Sequence, residues 1–188
     1  MRLICYILHN PLSSAISSIL TIETAIHIKS SNLSKTYFHN FATHFAGMEE
    51  IFILIAEDDA DDRFLLQAAF EENGFSDNLH FVENGVEVLE YLQSLVASGN
   101  NNYPRFILLD LNMPKKDGRE VLKELKQHPQ LKNIPVVIFS TTNNEQEMRR
   151  CYELGANSYI TKPNSFESLL KTVAALRSYW LYSTNIPA

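Results

Sequence analysis

Four short apolar runs of this sequence end in residues able to do chemistry. Residues 51–56 run into Glu57-Asp58, residues 106–109 into Asp110, residues 136–139 into Ser140, and the shorter run 158–160 leads to Lys162. Carboxylates gathered in one crevice repel, since two unit charges about 4 Å apart at an effective dielectric near 20 cost roughly 4 kcal/mol. A bound cation offsets that repulsion. Oxygen donors select a hard ion, and a few carboxylates with a backbone carbonyl suit partly hydrated Mg2+ better than Zn2+; neither Cys nor His stands at these strand ends. Beside Mg2+, Asp110 becomes a nucleophile toward phosphorus, with the metal neutralising charge in transfer and with Lys162 and Ser140 holding the phosphoryl oxygens.

A plainer reading competes at each position. Acidic residues after a strand are often helix caps, and Asp59, Asp61 and Asp62 are expected in that role. Capping does not explain why Glu57, Asp58 and Asp110 all fall at the ends of apolar runs. A lone strand-end Ser is more often a turn residue and a lone Lys more often solvated, but the placement of Ser140 and Lys162 relative to Asp110 favours the site. Tyr159 reads equally as packing or as a switch.

The elements that must position these residues follow from periodicity. Short continuous apolar runs alternate with helical periods, the signature of βα repeats and a parallel sheet. Residues 51–56, 106–109 and 136–139 are apolar on both pleat faces, so these strands are expected to be central and covered on both sides; residues 79–82 and 158–160 are shorter strand candidates. Asp59 caps a first helix with Phe64, Leu65 and Ala68 on its apolar face, closed by Asn73-Gly74. Val86, Leu89, Tyr91, Leu92, Leu95 and Val96 mark a second helix, and Val121, Leu122 and Leu125 a third that stops near Pro129. Met148, Cys151, Tyr152 and Leu154 mark a fourth, ending at Gly155. A fifth carries Phe166, Leu169, Leu170, Val173 and Leu176. In such an open sheet the functional crevice lies beyond the carboxyl ends of the strands.

The chain has 188 residues, 45% of them hydrophobic, enough for one core without staples. A net charge of -6 argues against direct nucleic-acid binding. Cys5 and Cys151 lack metal-ligand spacing and suit a reducing compartment, so a cytoplasmic location is expected. Residues 1–47 differ from the rest: they hold His9, His27, His39 and His44, with Glu23 their single acidic residue. Residues 3–22 carry no charged side chain, but Asn10, Pro11 and several serines interrupt them, which disfavours a membrane span or signal peptide. Residues 1–47 are expected to be a disordered extension or an upstream addition before a true start at Met48; residues 48–188 are expected to form one domain.

Taken together, Ile53-Leu54-Ile55-Ala56-Glu57-Asp58-Asp59, Leu108-Leu109-Asp110-Leu111-Asn112-Met113-Pro114 with Asp117-Gly118, the fourth strand ending in Ser140, and Lys162-Pro163 resemble the receiver domain of two-component response regulators. The resemblance implies an α/β fold: a doubly wound, five-stranded parallel sheet, flavodoxin-like, with strand order 2-1-3-4-5. It implies that Glu57, Asp58, Asp110 and the backbone carbonyl of Asn112 surround Mg2+. Asp110 would form an aspartyl phosphate, and Ser140 and Lys162 would move onto it as Tyr159 turns inward. It also implies that Asn112 and Thr142 tune phosphate lifetime, that a cis bond precedes Pro163, and that the donor is a histidine kinase or phosphotransfer protein. The 98–105 connection, Pro114-Lys115-Lys116-Asp117-Gly118-Arg119-Glu120 and the tail Tyr179-Trp180-Leu181 are further similar to stand-alone regulators of cyanobacterial phytochrome kinases.

Competing classes are weaker. An aspartate-nucleophile phosphatase needs a second acid two residues past the nucleophile, where Asn112 stands. A flavin module needs a Ser, Thr and Gly-rich loop in place of Glu57-Asp58-Asp59. A pseudo-receiver that binds partners without phosphorylation is the alternative, disfavoured because the site residues are present. No output domain is expected after the fifth helix, so signalling would pass through protein contacts of the fourth helix, fifth strand and fifth helix. Tyr179, Trp180 and Tyr182 suit either a homodimer or packing within the chain.

Overall fold

The alternation of apolar runs and helical periods resolves into five βα units in a computed structural model that describes residues 51–75, 78–99 and 102–184. Residues 1–47, with the extension expected there, and Asn100-Asn101 of the long connection lie outside the described residues. The strands are β1 (Ile53–Ala56), β2 (Leu79–Val82), β3 (Ile107–Leu109), β4 (Val136–Ser140) and β5 (Ser158–Thr161). The helices are α1 (Ala60–Glu72), α2 (Gly85–Ser98), α3 (Gly118–Gln127), α4 (Glu145–Glu153) and α5 (Phe166–Arg177), followed by a π-helical segment, Ser178–Ser183. All strand pairs are parallel, in the order β2-β1-β3-β4-β5.

β1, β3 and β4 are buried along their whole length because their apolar side chains feed two cores at once. Leu54, Ala56, Ile107, Leu109, Val136 and Ile138 face a layer holding Val88 and Leu92 of α2, Val121 and Leu125 of α3 and Cys151 of α4. Ile53, Ile55, Leu108, Val137 and Phe139 face Leu66, Ala69 and Phe70 of α1 and Leu169, Val173 and Leu176 of α5. Helices thus cover both faces, and the sheet is doubly wound.

Helix boundaries follow their caps. The Asp59 carboxylate accepts from the Asp61 and Asp62 amides, Asn84 caps α2, and Asp117 with Glu120 forms a capping box on α3. The phase of α1 differs from the sequence expectation. Phe64 is 71% exposed and Leu65 also faces outward, whereas Leu66, Ala69 and Phe70 form the buried i, i+3, i+4 stripe. In α4 only Cys151 is fully buried, and Tyr152 is exposed. Trp180 packs within the chain, 6.0 Å from Phe106 between ring centroids, and its carbonyl accepts from Arg105 Nε at 2.9 Å. The Lys162–Pro163 bond is trans, against the expectation from resemblance and in line with the ordinary preference of X–Pro bonds.

Candidate functional site

The parallel register brings the chemistry-bearing residues to one edge. Ala56 pairs with Leu109 and Leu109 with Ile138, so β1 and β3 end side by side and β4 ends beside them. Past those ends the ladder continues for one more bond each: Asp110 N donates to Ala56 O at 3.0 Å, and Lys162 N donates to Ser140 O at 2.8 Å. Backbone hydrogen bonding therefore seats Asp110 beside β1 and Lys162 beside β4, with β4 between the strands that carry them.

Glu57, Asp58 and Asp110 each offer a carboxylate oxygen, all within 4.8 Å of one another, the one such acidic group among the described residues able to hold a metal ion. Glu57 and Asp110 are buried and Asp58 is exposed. Lys162 Nζ reaches Glu57 Oε2 at 2.6 Å, Asp62 Oδ2 at 2.8 Å and Asp110 Oδ2 at 2.9 Å. Burial works against that ammonium, but its hydrogen bonds to Asp62, Glu57 and Asp110 outweigh burial and hold its pKa above the usual lysine range. Glu57 goes the other way: burial pushes its pKa up to about 7 despite the contact with Lys162. Three carboxylates thus share one ammonium, with Asp58 beside them.

The Asp110 carboxylate is asymmetric. Oδ1 accepts from the Leu111 amide at 2.6 Å and the Asn112 amide at 3.3 Å, while Oδ2 faces Lys162. Asn112 itself is exposed. The loop that follows is held tightly: Gly118 N donates to Leu111 O at 2.9 Å, and a Cβ at Gly118 would collide with the Asp110 carbonyl. Ser140 is fully buried, and its hydroxyl has no hydrogen-bond partner among the described residues. One strand over, the Tyr159 hydroxyl donates to the Thr142 carbonyl at 3.0 Å, and burial raises its pKa.

Two contributors escaped sequence reasoning. Asp62, expected only near the cap, puts its carboxylate on Lys162; the available signal was its spacing of one helical turn from Asp58. Arg63 donates to the carbonyls of Glu57 at 2.9 Å and Asp58 at 2.8 Å and pairs with Glu83, fixing the loop that carries the two acids. No sequence motif marks that clamp.

The donor set fits a hard divalent ion, since it is all oxygen and clustered, and the unpartnered Ser140 hydroxyl fits an incoming oxyanion. A doubly wound sheet with such a pocket at its carboxyl edge defines the receiver class of signalling proteins. The chain belongs to the response regulator receiver domain family, whose model matches residues 53–174. It is 41% identical over 136 residues to response regulator Rcp1 of Synechocystis sp., spanning 72% of this chain and 92% of that protein. It is also 41% identical over 129 residues to the probable methanogenesis regulatory protein FilR2 of Methanothrix harundinacea, spanning 69% of this chain and 83% of that one. Among solved structures it resembles the Mn2+-bound form of Rcp1, with TM-score 0.66 and 40% identity over 74% of this chain and all of that one (100%). The phosphorylated cyanobacterial phytochrome response regulator RcpA gives 0.67 and 39%, over 74% and 99% of the two chains.

Receiver domains bind Mg2+ or Mn2+ at an acidic pocket, and response regulators interact with histidine kinases or phosphotransfer proteins. No helix among the described residues is long and apolar enough to cross a membrane.

Proposed function

We propose that this chain is a response regulator whose receiver domain, spanning residues 48–188, accepts a phosphoryl group on Asp110 from a phosphohistidine of a sensor kinase or phosphotransfer protein. The observation that carries the reading is the Asp110 carboxylate itself. One oxygen is tied to two backbone amides and the other lies 2.9 Å from the Lys162 ammonium, beside two further acids.

Asp110 Oδ2 is the oxygen left for bond formation. It attacks phosphorus as the P–N bond to the donor imidazole breaks, and the imidazole nitrogen leaves with the electron pair. Lys162 faces charge developing on a phosphoryl oxygen, and the buried Ser140 hydroxyl gains the partner it lacks by donating to another. Mg2+, held by Glu57, Asp58, Asp110 and the Asn112 carbonyl, would neutralise phosphoryl charge. The chain catalyses only its own phosphorylation and dephosphorylation.

Output runs from Ser140 through Tyr159 to the α4-β5-α5 surface, where a shifted population of conformations is read by a protein partner in the cytoplasm. The test is intact mass after incubation with acetyl phosphate, with and without Mg2+, beside an Asp110→Ala control. A single Mg2+-dependent phosphoryl adduct, missing from the control, is the expected result. No adduct, with beryllofluoride also failing to bind the folded protein, would overturn the reading in favour of a partner-binding pseudo-receiver.

A further inference from the structure

Lys162 has three N–H donors, and the structure gives each a carboxylate: Glu57 Oε2 at 2.6 Å, Asp62 Oδ2 at 2.8 Å and Asp110 Oδ2 at 2.9 Å. These acceptors differ in what the chemistry asks of them. Under the proposed function, on which this inference rests, Glu57 is a metal ligand and Asp110 Oδ2 becomes the ester oxygen of the aspartyl phosphate. Asp62 is assigned to neither. It is the one acceptor of the three still free to hold Lys162 when the pocket is loaded.

The placement of Asp62 is built rather than incidental. Its amide donates to the Asp59 cap at 3.0 Å, which seats it in the first turn of α1, one turn beyond Asp58. Arg63, the next residue, grips the carbonyls of Glu57 and Asp58, so the turn bearing Asp62 and the loop bearing the acids move together. The Lys162 side chain is only 9% exposed, with Asp62 at its outer end 39% exposed. A cavity of about 180 Å³ lined by Asp62, Leu66, Phe139, Lys162, Pro163 and Phe166, among others, opens beside that contact. A lysine bordering open space has other rotamers available, and ordering it costs entropy unless a fixed partner holds it.

We infer that Asp62 is a positioning residue for Lys162: it holds the ammonium toward the phosphoryl group after Glu57 and Asp110 have been taken by metal and phosphorus. Asp62 does not touch the reacting atoms, so its whole effect passes through Lys162.

The test is a double-mutant cycle on beryllofluoride affinity in Mg2+, using wild type, Asp62→Asn, Lys162→Met and the double variant. Asp62→Asn keeps shape and removes charge at a partly exposed first-turn position, and cooperative unfolding verifies each fold. The expected result is about tenfold weaker binding for Asp62→Asn, in line with loss of one charge-assisted anchor, and no further loss when Asp62→Asn is added to Lys162→Met. A second readout needs no metal: amine acylation in metal-free protein should label Lys162 several-fold faster in Asp62→Asn. Unchanged affinity in Asp62→Asn, or an equal loss in both backgrounds, would overturn the inference while leaving the receiver reading intact. Failure of the wild type itself to bind beryllofluoride would overturn both.

Discussion

The Tyr159 hydroxyl donates to the Thr142 carbonyl at 3.0 Å, tying edge strand β5 to the loop between β4 and α4. Thr142 stands two residues beyond Ser140, whose hydroxyl is buried and unpartnered. The tyrosine ring is therefore held partly buried, with its hydroxyl bound to the loop that follows Ser140.

Tyr159→Phe keeps the ring packing and deletes that bond. Stability should fall by about 0.5–1.5 kcal/mol, the usual net worth of one hydrogen bond, as read by urea denaturation. The rate of the Asp110 adduct should hardly change. Beryllofluoride-induced amide shifts in α4 and β5 should shrink, and shifts identical to wild type would remove Tyr159 from the output route.

Glu57 gives the metal-free protein a pH dependence. Its pKa rises from 4.5 to about 7 on folding, with burial the leading cause, so between those values the folded state binds more protons than the unfolded one. Stability contributed by the protonated carboxyl is present below about 4.5 and lost as pH climbs through about 7, on the order of 2 kcal/mol after allowing for solvent screening. Glu57→Gln should abolish that slope and be the more stable protein above about pH 7 in the absence of metal. Denaturation curves in chelator across this window check it, and parallel curves for the two proteins would contradict the assignment.

Lys115 holds φ at 63°, the one non-glycine positive φ among the described residues, in the loop after Asp110. That conformation costs an L-residue roughly 1–2 kcal/mol, part of which glycine returns as unfolded-state entropy. Lys115→Gly should therefore stabilise the fold by up to about 1 kcal/mol, measured as a higher denaturation midpoint at unchanged m-value.

The parts of this architecture that sequence revealed are those where one physical rule acts alone. Strands buried on both faces read as continuous apolar runs, and the residues just past them, Glu57, Asp58, Asp110 and Ser140, had only one edge to occupy. Where rules overlap, reading failed. Phe64-Leu65-Leu66 offers three consecutive apolar residues, and periodicity could not choose among phases until packing between the sheet and α5 selected Leu66, Ala69 and Phe70. Asp62 satisfies the preference for acids in a first helical turn, and that reading masked the one local signal, its spacing of one turn from Asp58, of its contact with a lysine 100 positions away. Trp180 was ambiguous because an aromatic tail suits an interface as well as a core; within the chain it packs, partly buried, beside Arg105 and Phe106 at the opposite end of β3 from Asp110.

Two glycines separate close approach from backbone strain. A Cβ on Gly118 would meet three backbone atoms, the Asp110 carbonyl oxygen and carbon and the Leu111 Cα, none of which can yield as a side chain would. The α3 N-terminus is thus pressed directly on Asp110, and Gly118→Ala must displace one or the other. A loss of about 3 kcal/mol in stability is expected, with the Asp110 adduct forming much more slowly because the carboxylate is pushed off its amide partners. Gly99, the α2 cap at φ 68°, has open space where its Cβ would be. Gly99→Ala should cost about 1 kcal/mol from backbone strain alone and leave phosphorylation untouched. Intact-mass time courses and denaturation on both variants distinguish the two causes: equal phosphorylation rates would mean that α3 does not buttress the acceptor.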